Sequence, residues 1–276
     1  MTIPKVNDLE AKALWVRQTL WNMHMKAKRG HIASCFSCTD ILVALYYGGF
    51  VRVRSEAGQP ESLDDVLISK GHGIAALYPI LADLGFFPAV ELDKFTEKDG
   101  LLGMYADPGI PGISSVSDSL GHGLGIGCGL AFAARMDEDA EKRVFVILGD
   151  AELNEGSIWE SAAFAGHYGL GNLVAIVDDN QFGVLGKTIG SGDIGARFES
   201  LNWDVAHCQG HDFEQLIPTL SGAAAGRTSG KPVAIVAETV KGKGLSFMEG
   251  DPGWHVRIPD GELEIQGRRD LQLEGA

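Results

Sequence analysis

Residues 149–184, GDAELNEGSIWESAAFAGHYGLGNLVAIVDDNQFGV, decide the fold. They follow an apolar run, Val144-Phe-Val-Ile-Leu148, which stops at Gly149-Asp150 as a buried parallel strand stops at a loop. Glu155 to Tyr168 then has helical spacing, with Ile158, Trp159, Ala162, Ala163 and Gly166 near one face. Gly169 and Gly171 end the helix, and Leu173-Val-Ala-Ile-Val177 forms a second buried strand that closes on Asp178-Asp179-Asn180. Strand, helix and strand make a βαβ unit, so the chain reads as α/β, with a mostly parallel central sheet flanked by helices on both faces. The polar residues lie at the carboxyl ends of both strands, where open α/β sheets bind ligands.

The chemistry of those ends is narrow. Asp150 offers a carboxylate, Asn180 an amide oxygen, and the bend after Asn180 frees a backbone carbonyl, that of Phe182. Few hard oxygen donors suit a magnesium ion that keeps part of its shell for phosphates; calcium or manganese would take the same set. Taken singly, Asp150 reads as a helix cap and Asn180 as a turn residue. As a pair, each closing an apolar strand, they read as a metal site.

At this point the stretch resembles a known motif. Gly149-Asp150 followed by Asn180 is similar to the pattern with which thiamine diphosphate enzymes hold metal and diphosphate. Glu155-Gly156 and Asp179-Asn180-Gln181-Phe182-Gly183-Val184 narrow the resemblance to the transketolase family. The usual third residue, Gly, is Ala151 here, small enough to leave room for the diphosphate.

Composition bounds the alternatives. The 276 residues are 45% hydrophobic, enough for a sizeable core, and the 37 Gly suit close backbone approach to a ligand. A formal charge of -14 argues against nucleic acid or an anionic membrane as partner. No stretch reaches the length of a membrane span, and MTIPKVNDLE lacks the apolar core of a signal peptide, so a cytoplasmic protein is expected. Cys35-Phe-Ser-Cys38 has metal or redox spacing, but Cys128 and Cys208 stand alone, and the four thiols read as packing.

Residues 8–28 have strong helical periodicity and end in a basic turn at Gly30; Gly30-His31 then opens a second helix, Thr39 to Tyr47. The strand Val66-Leu-Ile-Ser69 leads to Lys70-Gly71-His72-Gly73 and a helix from Ile74 to Leu84. Both Gly-His pairs match the family, in which the imidazole at His31 faces the thiazolium ring and the substrate, and both are expected to line one cleft. Residues 100–117 form a Gly- and Pro-rich loop. There Met104 replaces the family's substrate-facing His and Ser114 its acidic residue, which sets the loop apart from an ordinary sugar-phosphate site.

Asp118-Ser-Leu-Gly-His-Gly is similar to the family's Gly-Ser-Leu-Gly-Gln-Gly, a turn beside the diphosphate. The resemblance places Asp118, Leu120, Gly121 and His122 at the cofactor, with Gly149, Asp150, Ala151, Glu155 and Asn180. Ile126 breaks a dinucleotide fingerprint, and Gln181 breaks a P-loop at Gly186-Lys187-Thr188. Phe198 to Leu216 reads as helix, edge strand and helix start, with His207 and His211 as surface or turn residues. Pro232-Val-Ala-Ile-Val236 is a last strand; Lys241 and Lys243 after it read as solvated charges, and Trp254-His255 matches a family pair whose His lies by the diphosphate.

The resemblance covers about residues 8–257, leaving 258–276 as a polar tail, and treats 1–276 as one diphosphate-binding domain. It implies the N-terminal subunit of a two-chain transketolase. The activity would be transfer of a two-carbon ketol unit from a ketose to an aldehyde through thiamine diphosphate. His31, His72 and His255 would act at the reacting centre, with pKa values near working pH. Glu155 and Glu160 would carry protons between paired sites at a subunit contact. The partner subunit would bring the pyrimidine-binding domain and its activating Glu, in an α2β2 assembly. A thiamine diphosphate enzyme joining a decarboxylated 2-oxo acid to an aldehyde would share the metal site and is the alternative.

Overall fold

The computed structural model describes residues 4–56, 59–107, 109–115, 119–137, 141–189, 192–225 and 229–273. The chain begins with α1 (Val6–Ala27) and α2 (Ile32–Tyr47). A short polar hairpin of β1 (Val53–Glu56) and β2 (Gln59–Ser62) follows, then β3 (Asp65–Ile68), a 3-10 turn over Gly71–Leu77 and α3 (Tyr78–Asp83). After a long loop come α4 (Gly123–Met136), β4 (Val144–Gly149), α5 (Gly156–Tyr168) and β5 (Leu173–Asp179). The chain closes with α6 (Ile194–Ser200), β6 (Asp204–Gln209), α7 (Phe213–Ala225), β7 (Val233–Glu238) and α8 (Glu262–Asp270).

Five strands make one sheet in the order β3-β4-β5-β7-β6, every neighbour parallel, with β6 at an edge as its sequence implied. Alternation along each strand feeds two separate cores, because successive side chains point to opposite faces. Phe145 and Ile147 of β4 join Val174 and Ile176 of β5 in the layer under α1, α2 and α7. Val144, Val146 and Leu148 face the other way, with Ala175 and Val177, against Leu124, Ile158, Ala162 and Phe198 of α4, α5 and α6. Helices therefore cover both faces.

Three differences from the sequence reading have physical causes. Helix α2 begins at Ile32 rather than Thr39, and its side chains from Ile32 to Tyr46 are buried all round, so no polar stripe marks its start. The helix expected from Ile74 splits into the 3-10 turn and α3, with Pro79 at the head of α3 where its missing N–H costs nothing. The segment expected as a polar tail contains α8. Gly267 of α8 packs against the Trp21 indole, Leu271 is buried, and the Gln18 amide donates to the Leu271 carbonyl at 2.8 Å.

Candidate active site at the carboxyl ends of the sheet

The carboxyl ends of β3, β4, β5 and β7 open on one cleft of about 200 Å³. Its wall includes His31, Lys70, His72, Tyr105, Gly149, Asp150, Asn180, Phe182, Lys241 and His255. Parallel pairing brings the first two predicted ligands together: Gly149 sits opposite Asp178 in the β4–β5 ladder, so Asp150 and Asn180 leave adjacent strands at the same edge.

Each ligand side chain is held. The Asn180 amide nitrogen donates to Ser37 Oγ at 3.0 Å, and its Oδ1 accepts from the Phe182 N–H at 3.1 Å. Gln181 takes a φ of 64°, the bend that turns Phe182 back toward the cleft. Thr188 Oγ1 donates to Asp150 Oδ2 at 2.5 Å. Beneath them, buried Asp178 accepts from Ser37 Oγ at 2.7 Å, from Thr239 Oγ1 and from the Lys70 ammonium. Burial alone would lower the Lys70 pKa, but the attraction of Asp178 wins and raises it, so Lys70 stays charged as the countercharge of Asp178.

Asp150 is different. Burial pushes its carboxyl up, the Thr188 hydrogen bond opposes this, and Asp178 adds repulsion. A nearby cation would favour its ionised form. Among the described residues no three His, Cys, Asp or Glu side chains converge on a metal-sized point. The donors at hand are one carboxylate, one amide oxygen and the Phe182 backbone carbonyl, a set that fits magnesium sharing its shell with phosphate.

Three imidazoles line the rest of the cleft. Ring centroids are 5.8 Å apart for His31 and His72, 5.4 Å for His31 and His255, and 5.2 Å for His72 and His255. Sequence reasoning placed their pKa values near working pH; burial and neighbouring positive groups move all three down. His255 falls to about 4 through burial and Lys241, His72 drops well below the usual value, and His31 also falls. Each ring is therefore neutral at pH 7, with one donor and one acceptor nitrogen.

Three residues were missed, Tyr105 of the cleft wall among them. Lys241, read as solvated, is buried; its Nζ donates to the Gly183 carbonyl at 3.2 Å and lies 3.0 Å from His255 Nδ1. Burial brings its pKa down to about 8. Glu152 is buried and accepts from the N–H groups of Gly121 at 2.9 Å and Gly149 at 3.1 Å, and from Ser69 Oγ. It ties the glycine-rich turn before α4 to the end of β4. Apolar neighbours on both sides, Ala151 and Leu153, hid it in the sequence. His211 is no mere turn residue: its Nε2 accepts from the Val240 N–H at 2.8 Å, and its Nδ1 meets Asp40 at 2.5 Å, holding the segment that carries Lys241.

Of the remaining predicted residues, Ala151 and Leu120 line the cleft, while Gly121 is buried behind it. Glu155, Glu160 and His122 are exposed and lie outside the cleft wall. Met104 packs against the core rather than the cleft, and Ser114 is exposed. Asp118 lies outside the described residues. All four cysteines are buried and free, as packing requires.

The family model for the transketolase thiamine diphosphate-binding domain matches residues 12–270. The fold and this match define a thiamine diphosphate-binding α/β domain. The chain belongs to the transketolase family. It is 36% identical over 270 residues to an apulose-4-phosphate transketolase subunit of Phocaeicola vulgatus, covering 97% of this chain and 95% of that one. It is 33% identical over 273 residues to a 6-deoxy-6-sulfo-D-fructose transketolase subunit of Clostridium sp., covering 98% of each. The structure of Campylobacter jejuni transketolase superposes with a TM-score of 0.89 at 24% identity. That likeness carries the fold, and the chain spans 98% of itself but 43% of that transketolase. No helix among the described residues is long and apolar enough to cross a membrane.

Proposed function

We propose that this chain, as one domain, is the diphosphate-binding subunit of a two-component cytoplasmic transketolase. It moves a two-carbon ketol unit from a modified or phosphorylated ketose to an aldehyde. The observation that carries the reading is the triangle of neutral imidazoles, His31, His72 and His255, set in one cleft with Asp150 and Asn180.

Asp150, Asn180 and the Phe182 carbonyl would hold magnesium, and the Lys241 ammonium, in the same cleft wall, would bind the diphosphate. Thiamine diphosphate, when bound, would supply the carbon–carbon bond chemistry. The chain's own groups do the rest. The three imidazoles bind substrate hydroxyls and hold or accept protons at their free ring nitrogens, which neutral rings do without a charge to desolvate. Glu155, just before α5, and Glu160, within it, are both exposed and would meet a neighbouring protomer. The partner brings the pyrimidine-binding domain and its activating Glu, in an α2β2 assembly.

The names of the relatives, apulose 4-phosphate and 6-deoxy-6-sulfo-D-fructose transketolase subunits, support a branched or substituted sugar as substrate. Met104 packs against the core and does not line the cleft, so its replacement of the family's His gives no support to a 2-oxo acid donor. The test is calorimetric titration of thiamine diphosphate, with and without magnesium, into the chain mixed with its partner subunit. Saturable, magnesium-dependent binding is expected in the mixture; no binding under any condition refutes the proposal.

A further inference from the structure

Tyr105 stands in the cleft wall with its ring centroid 6.0 Å from that of His31, the planes inclined at 57°. No motif in the sequence singled it out. Its position is built by its neighbours. Leu102 and Ala106 are buried and Met104 packs on the core. The Leu102 carbonyl accepts from the Thr96 N–H at 2.7 Å, and Tyr78 Oη donates to the Gly103 carbonyl at 3.0 Å. Between these anchors the side chain of Tyr105 turns outward and is 38% exposed. Its hydroxyl has no hydrogen-bond partner among the described residues, whereas the hydroxyl of Tyr78, which reaches the same loop, is used internally.

The contacts along the cleft run in order from Tyr105 to His31, His255, Lys241 and Gly183. Gly183 follows Phe182 of the proposed metal site, and none of these contacts joins Tyr105 directly to that site. A phenol there offers a hydroxyl that both donates and accepts, and an aromatic face for C–H groups. A polyol chain needs both.

We propose that Tyr105 is a substrate-contacting, specificity-determining residue whose hydroxyl bonds a hydroxyl on the carbon chain of the ketose donor, beyond the two carbons transferred. The inference rests on the transketolase reading. It assigns to Tyr105 the polar contact that Met104, packed against the core and outside the cleft wall, does not make.

The test uses the assembly of both subunits with magnesium and thiamine diphosphate, comparing wild type with Tyr105→Phe, which keeps the ring and removes the hydroxyl. Ketose donors are D-xylulose 5-phosphate and D-fructose 6-phosphate. The control donor is 3-hydroxypyruvate, which yields the same two-carbon unit with loss of CO2 and has no polyol chain. KM for the ketose phosphates is expected to rise about three- to tenfold, the worth of one hydrogen bond. Their kcat, the kcat/KM for 3-hydroxypyruvate and the Kd for thiamine diphosphate are expected to stay within about twofold. Unchanged kcat/KM on the ketoses, or an equal loss on 3-hydroxypyruvate, overturns this inference while leaving the transketolase reading intact. A wild-type assembly that binds no thiamine diphosphate, or turns over neither the ketoses nor 3-hydroxypyruvate, overturns both.

Discussion

The Lys241 ammonium and His255 Nδ1 lie 3.0 Å apart. A charged ammonium only donates, so Nδ1 is the acceptor and the proton of the neutral His255 ring sits on Nε2. One charge thus fixes a tautomer and also supplies positive potential to the cleft.

That charge titrates within reach of experiment. Burial lowers the Lys241 pKa to about 8, and a bound diphosphate would raise it again. Binding then takes up a proton above pH 8, so affinity for thiamine diphosphate falls as pH rises through that value. The loss is expected to reach about tenfold by about pH 9, and Lys241→Met should bind weakly at pH 7 and lose the slope. Calorimetry in two buffers of different ionisation enthalpy would show the proton uptake directly. A flat profile in the wild type would separate Lys241 from the diphosphate.

Asp150 should be costly to the empty chain and necessary to the loaded one. Its folded pKa is raised by burial, so between the unfolded and folded values the native state binds more protons, and stability falls as pH rises through that window. At pH 7 the buried carboxylate is destabilising. Asp150→Asn is therefore expected to raise the thermal midpoint without cofactor by about 2–4 °C. It should also abolish magnesium-dependent cofactor binding. Thr188→Val, which removes the hydroxyl donor to Asp150, is expected to weaken that binding about tenfold. An Asp150→Asn chain with a lower midpoint would show that Asp150 supports the fold.

Lys70 tests the layer beneath. Lys70→Met would leave Asp178 buried with two hydroxyl donors and no countercharge. Removing one partner of such a pair costs about 3–5 kcal/mol, measured by denaturant unfolding. A loss below about 1 kcal/mol would mean that water reaches Asp178 and screens it.

The parts legible in the sequence were those where one residue type has one reading at its place. Apolar runs closed by Asp150 and Asn180 gave the β4–β5 edge, and His31, His72 and His255 met in the cleft as expected. Lys241 and Glu152 were hidden because the same residue types are usually solvated, and only tertiary packing turned them inward; Tyr105, half-exposed in the cleft wall, was hidden because no motif marks it. The exposed Glu155 and His122 show the converse: sequence adjacency to a cleft-lining residue such as Leu120 or to the buried Gly121 does not aim a side chain into the cleft. Helix α8 was lost for a related reason. Its residues are mostly charged, and it docks through a glycine, which carries no apolar signal.

That docking gives the last prediction. A Cβ at Gly267 would overlap the Trp21 indole, which is itself buried in α1. In an exposed helix, Gly→Ala gains about 1 kcal/mol from propensity, whereas overpacking a filled contact costs about 1–3 kcal/mol. The two nearly offset for Ala, so Gly267→Val, bulkier and a poorer helix former, is the decisive variant. It is expected to destabilise the chain by about 1–3 kcal/mol. Faster amide exchange in α8 and around Leu271 should accompany the loss, with the cleft residues on β4 and β5 still protected. Unchanged stability and exchange in Gly267→Val would mean that α8 is not seated on Trp21 in solution.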